Sequence, residues 1–221
     1  MPEEVRNISR KLSRANYNIL EKQNHFKETS WDFSHSPLTQ KGQSIQLAFE
    51  SWSDECNKDF EEIKDNDETL NNTFILLYGL ESELQETEDE KDVASHLATY
   101  KEEIKDLISN AVGCMFGRYS LDVDGLAYAG GDWDDSKYTT FQPDADNVIP
   151  ITDARYMKDD IVDRFCEWLT AAYGAGTLEE NLDFIAKGLG TKGTDSRDII
   201  RNYFLNDFFK DHCQKIGRAH V

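Results

Sequence analysis

Residues 93–115 read Val93-Ala-Ser-His-Leu-Ala-Thr-Tyr-Lys-Glu-Glu-Ile-Lys-Asp-Leu-Ile-Ser-Asn-Ala-Val-Gly-Cys-Met115, and the spacing of the apolar residues in this stretch decides the fold class. Val93, Leu97, Tyr100, Ile104, Leu107, Ile108, Ala111, Val112 and Met115 recur at steps of three and four, which gathers them on one face of an α-helix. Just before them Thr87-Glu88-Asp89-Glu90 has the pattern of a capping box, so the helix is expected to open there.

Towards the N-terminus the same period continues. Val5, Ile8, Leu12, Ala15 and Ile19 form one stripe, and Ile45, Ala48, Phe49, Trp52, Cys56, Phe60 and Ile63 form another. A shorter element is expected from about Glu68 to Tyr78, closed by Gly79 in the position that favours a helix terminator. Four helices are thus expected in the first half, with a break around Pro37 between the first two. Towards the C-terminus, Ile161, Val162, Phe165, Trp168, Leu169, Ala172 and Tyr173 share a face that ends at Gly174. Thr177 with Glu180 suggests a second capping box before Leu178, Leu182, Ile185 and Leu189, and Ile199, Ile200, Tyr203, Phe204, Phe208 and Phe209 make a final helix. No spacing repeats. The fold class is therefore mostly α, long helices packed as hairpins or a bundle, interrupted at 119–150 by a Gly/Asp/Tyr-rich loop. A loop of that length is either functional or contains short strands, and residues 119–129 could form a small hairpin. The expected division is a helical connector at 1–117, an irregular insert at 118–150 and a helical subdomain at 151–214.

The 221 residues include 24 Lys plus Arg against 43 Asp plus Glu, a formal net charge of −19. Residues 1–28 carry a small basic excess, so the acid lies after the first helix. Non-specific attraction to phosphate backbones or anionic lipid is disfavoured, and with it a free-standing nucleic-acid binder. No apolar run reaches the ~18 residues of a spanning helix, and no signal-peptide core follows Met1, so no membrane association is expected and the cytoplasm is the default location. Cys56, Cys114, Cys166 and Cys213 lack metal-ligand spacing and read as reduced, core-type thiols.

The motifs with chemical potential resolve into plain alternatives. Gly188-Leu-Gly190-Thr-Lys-Gly193 has the letters of a dinucleotide fingerprint, but a helix rather than a strand precedes it, so a helix C-terminus with a turn is expected. Asp122, Asp124, Asp132, Asp134, Asp135, Asp144 and Asp146 lack the spacing of a Ca²⁺ loop and read as a solvated acidic segment. His25 and His35 lie in the first break and His96 on a helix, with no partner at triad spacing. The prolines are Pro2, Pro37, Pro143 and Pro150, so the chain holds no Pro-Pro pair.

Several segments, in order, resemble the PglX-type adenine-specific DNA methyltransferases of BREX phage-defence systems. They include Glu28-Thr-Ser-Trp-Asp-Phe33, Phe74-Ile-Leu-Leu-Tyr-Gly-Leu80, Val112-Gly-Cys-Met-Phe-Gly-Arg-Tyr119, Gly125-Leu-Ala-Tyr-Ala-Gly-Gly131 and Tyr203-Phe-Leu-Asn-Asp-Phe-Phe-Lys-Asp211. The resemblance implies a parent enzyme that uses S-adenosylmethionine to methylate adenine in DNA, marking host DNA within a defence complex. It also implies that the cofactor-binding glycines and the Asn/Asp-Pro-Pro-Tyr site lie upstream. The chain is then expected to be a non-catalytic helical region that spaces the catalytic from the target-recognition part. It would hold no catalytic, cofactor-binding or metal-binding residue, and its partners would be those missing lobes, other BREX proteins and, through the parent, DNA. Ile216-Gly-Arg-Ala-His-Val221 is similar to the translation of a sequencing adapter and is set aside, and the gene is expected to be cut at both ends. Within the loop, Arg118, Tyr119, Tyr128, Trp133, Lys137, Tyr138 and Phe141 are the candidate DNA contacts, because aromatic and basic side chains can wedge, stack or read base edges. The competing expectation is a free-standing acidic helical protein-interaction module.

Overall fold

The computed structural model describes residues 1–39 and 43–218. Among them are seven α-helices: α1 Glu3–Asn24, α2 Ile45–Tyr78, α3 Tyr100–Met115, α4 Ile161–Tyr173, α5 Leu178–Leu189, α6 Ser196–Asn206 and α7 Phe208–Arg218. No strand occurs among the described residues, so the fold is all-helical as the period implies. The chain divides into two compact units, Met1–Asn24 with Trp52–Ala98, and His25–Ser51 with Thr99–Val221. Residues 45–51 of α2 belong to the second unit and the rest of that helix to the first.

In the first unit α1 meets α2, and Ile19 and Leu20 pack against a small core of Phe60, Ile63 and Val93. Polar contacts complete the seam. Asn16 donates to Asp67 at 2.8 Å and accepts from Asn66 at 2.8 Å, while buried Gln23 bonds Asp59 and Ser95 and accepts the backbone N–H of His96. Two expectations fail here. The second and third helices are one 34-residue helix, because the polar run 64–68 keeps helical backbone and only Gly79, at φ +68°, stops it. The capping box at Thr87 does not open a helix either. Glu88 turns back onto α2 through Asn71 (3.0 Å) and Glu68 (3.2 Å to its backbone N–H), Val93 fills the first unit's core, and α3 begins only at Tyr100. His96 therefore lies outside any helix, stacked against Trp52.

The second unit is built on a continuous apolar core. Ile104, Leu107 and Ile108 of α3, Phe165, Trp168 and Leu169 of α4, Leu182 and Ile185 of α5 and Ile200 of α6 are all fully buried. Asp160 caps α4 through the backbone N–H groups of Val162 and Asp163, and its second oxygen pairs with Arg201 at 2.7 Å. Asn181 on α5 accepts the backbone N–H of Ile45 at 2.9 Å, satisfying a donor that the start of α2 would otherwise leave open. The C-terminal turn of α5 follows the sequence, with Gly190 left-handed just past Leu189. Thr177 forms no capping box, because its hydroxyl bonds the carbonyls of Tyr173 and Gly174 instead. The final helix is broken at Asp207 into α6 and α7. Cys56 and Cys114 are buried, Cys166 is half-buried and Cys213 is exposed, so the core-type reading fails at Cys213. Of the tail set aside at 216–221, the backbone of 216–218 continues α7 and residues 219–221 lie outside the described residues.

Candidate functional site

The loop after α3 is folded onto the second unit by hydrogen bonds and not by strand pairing. The backbone N–H groups of Ala127 and Tyr128 both point at the carbonyl of Arg118, so one acceptor takes the place of a ladder and the expected hairpin does not form. The Tyr119 ring lies where a Cβ at Gly113 would stand, so the absence of a side chain there lets the loop turn tightly against α3. Its hydroxyl accepts from Arg118 Nε at 3.2 Å and donates to Glu28 at 3.1 Å. Burial, followed by the nearby Glu28 charge, pushes the Tyr119 phenol up to about 12.

The seven loop residues proposed from sequence divide by exposure. Tyr119, Tyr138 and Phe141 are buried. Tyr138 donates to the carbonyl of Gly117 at 2.5 Å, and Phe141 lies under the Arg164 guanidinium at 4.9 Å. Lys137 spends its ammonium on the carbonyl of Ala127 at 2.8 Å. Arg118, Tyr128 and Trp133 remain exposed. Trp133 stacks on Tyr138 with centroids 4.6 Å apart and meets Tyr128 edge-on at 5.2 Å, so the structure gathers Tyr128, Trp133 and Tyr138 and leaves Phe141 apart.

The acidic loop residues hold backbone. Asp122 accepts the N–H groups of Thr139 and Thr140, each at 2.8 Å, and the Thr140 hydroxyl. Burial raises its carboxyl, but these bonds outweigh that effect and hold it below the ordinary range. Asp144 receives Asp146 and Val148, and Asp134 receives Ser136. Among the described residues no three His, Cys, Asp or Glu side chains gather as metal ligands would.

Beside this loop lies a pocket of about 230 Å³ that the sequence reading missed. Residues 34–36, Thr39, Asn110, residues 119–124 and Ala172 line it. Gly125, at φ +72°, brings the two walls together by donating its N–H to Ser34 at 2.6 Å. At its floor Asn110 is 7% exposed, and its side chain makes no hydrogen bond to any described residue. Asn110 also borders a smaller space around Glu28 and Lys215, where Lys215 bridges Glu28 at 2.7 Å and Asp106 at 2.9 Å. Burial raises the Glu28 carboxyl, but Lys215, Ser109 and Tyr119 together hold it below its ordinary range. For Asp106 burial prevails over the same lysine, and its carboxyl is raised. The one sequence signal for the floor was a polar pair, Ser109-Asn110, on an otherwise apolar helix face.

No family model matches the chain. Its similarity lies with adenine-specific methyltransferases. It is 46% identical over 194 residues, 84% of its length, to the adenine-specific methyltransferase PglX of Lacticaseibacillus casei (strain Zhang). It is 29% identical over 231 aligned residues, 92% of its length, to the adenine-specific methyltransferase BrxX of Escherichia coli O9:H4 (strain HS). The chain spans 16% and 19% of the length of these relatives. The resemblance read from the residues is thereby shown: the chain matches a segment of PglX-type adenine-specific methyltransferases.

Proposed function

We propose that this chain is a non-catalytic helical segment of an S-adenosylmethionine-dependent, adenine-specific DNA methyltransferase of BREX phage defence. In this reading it works in the cytoplasm and sets the spacing between the catalytic and target-recognition parts. The observation that carries the reading is the 46% identity over most of the chain to a segment making up 16% of PglX. The absence of any Pro-Pro pair agrees with a catalytic site elsewhere in the parent, since the resemblance puts the adenine-holding motif at an Asn/Asp-Pro-Pro-Tyr sequence. No described helix is long and apolar enough to cross a membrane.

The purified chain is expected to bind no S-adenosylmethionine in calorimetry, and clear saturable binding would overturn the assignment of the cofactor domain to another part of the parent. An upstream reading frame containing Asn/Asp-Pro-Pro-Tyr or -Phe supports the enzyme reading. A stop codon and ribosome-binding site just before Met1 supports the free-standing acidic module instead. For DNA contact, the reading favours the three exposed candidates, Arg118, Tyr128 and Trp133. In the intact enzyme their joint replacement by alanine is expected to weaken DNA binding, and the loss of Arg118 is expected to reduce the salt slope by about one. Unchanged affinity and slope would remove the loop from the DNA interface.

A further inference from the structure

We infer that the pocket floored by Asn110 receives an arginine side chain presented by a protein partner. The inference rests on the pocket's geometry and charge and does not depend on the methyltransferase reading.

Three observations select this occupant. The first is size. At about 230 Å³ the space is smaller than a cofactor site, yet large enough for one long side chain. The second is charge. Asp122 and Asp124 stand on its wall, and among its described lining residues there is no Lys or Arg and His35, 3.7 Å from Asp124, is the one basic side chain. A pocket of that sign draws in a cation and repels a phosphate or carboxylate. The third is the floor. Asn110 as a residue is more than nine-tenths buried, and its carboxamide, facing the pocket, has no partner among the described residues, so its oxygen can accept a donor arriving from the mouth.

The distribution of acceptors favours guanidinium over ammonium. The Asn110 oxygen, the hydroxyls of Ser34 and Ser36 and the Asp124 carboxylate come from three separate segments. A planar fork of five N–H donors reaches several acceptors at once, whereas an ammonium concentrates its three donors at one point. Leu121, Val123 and Ala172 supply apolar wall for the methylene stem behind the charged head.

The test uses the whole 221-residue chain, ¹⁵N-labelled, and follows the side-chain amide resonances of Asn110. N-acetyl-L-arginine N-methylamide is titrated against the equally blocked lysine and glutamate and against adenosine. The arginine probe is expected to shift the Asn110 resonances saturably and to bind at least about tenfold more tightly than the others, a difference of ~1.4 kcal/mol. Asn110→Leu is expected to weaken arginine binding about tenfold or more, and Asp124→Asn severalfold. Because Asp124 is exposed, the second variant keeps the test decisive if the first does not fold. Equal binding of lysine, preferential binding of adenosine or glutamate, no saturable shift, or arginine affinity unchanged by Asp124→Asn would each overturn the proposal.

Discussion

Gln23 and Asn110 are both buried carboxamides on helices, one in each unit, and their surroundings treat them differently. Gln23 bonds Asp59, Ser95 and the backbone of His96, and so ties three stretches of the first unit together. The Asn110 side chain has no hydrogen-bond partner among the described residues, although it stands on α3 between the buried Ile108 and Ala111. The contrast follows from what else is available in each unit. The apolar stripe of α1 is only half-buried, so hydrogen bonds must fix how it sits on α2. In the second unit the fully buried Trp168, Phe165, Leu107 and Ile185 supply most of the packing between helices, which leaves the Asn110 side chain on α3 available for something other than holding the fold.

The largest expected effect attacks the packing side of this contrast. Trp168→Ala removes a fully buried indole that stacks on Phe165, and should cost about 5 kcal/mol of the second unit's stability in urea unfolding followed by circular dichroism. A loss below about 1 kcal/mol would mean that this core is not what holds the unit. Arg201→Met should cost less, about 3 kcal/mol, because it strands the fully buried Asp160 carboxylate without its cation. Smaller again is the direct comparison of the amides. Gln23→Leu should destabilise by about 1–2 kcal/mol, since it leaves the His96 N–H without its acceptor, and it should speed hydrogen exchange along α1. Asn110→Leu, which strands no partner among the described residues, should be close to neutral in the same assay. Equal losses at both positions would erase the distinction.

How far the sequence was legible follows the same physics. The faces of α1, α4 and α5 could be read directly, because a 3.6-residue period survives whatever the helix packs against. The continuity of α2 could not. Asn66, Asp67 and Glu68 look like a polar interruption until Asn16 and Glu88 are seen to bond them. Thr87 and Val93 were misread for a related reason: local pattern offered a helix start, and tertiary contacts with α2 took those residues instead. The sequence groups the loop's aromatic residues as DNA-contact candidates, but it does not separate an aromatic that anchors a loop, such as Tyr138, from one that faces water, such as Trp133. The pocket was out of reach altogether, since its walls come from positions some 85 residues apart, near Ser34 and near Ser120.

A pH-dependent effect concerns Tyr119, where burial and the nearby Glu28 raise the phenol to about 12. An unfolded tyrosine ionises near ~10, so between about pH 10 and 12 the unfolded chain has released this proton while the folded chain still holds it. The stability contributed by the protonated phenol is therefore complete below about pH 10 and is lost as pH rises through that window. Tyr173 and Tyr203 are raised as well, chiefly by burial, so the wild-type curve will fall for more than one reason. Tyr119→Phe isolates the one group. It should lower stability at neutral pH by removing the bond to Glu28, and it should also flatten the alkaline slope by up to one proton relative to wild type. Parallel curves for the two proteins above about pH 10 would show that the hydroxyl ionises as freely in the folded chain as in the unfolded one, and that the loop is not held shut against α3 at this point.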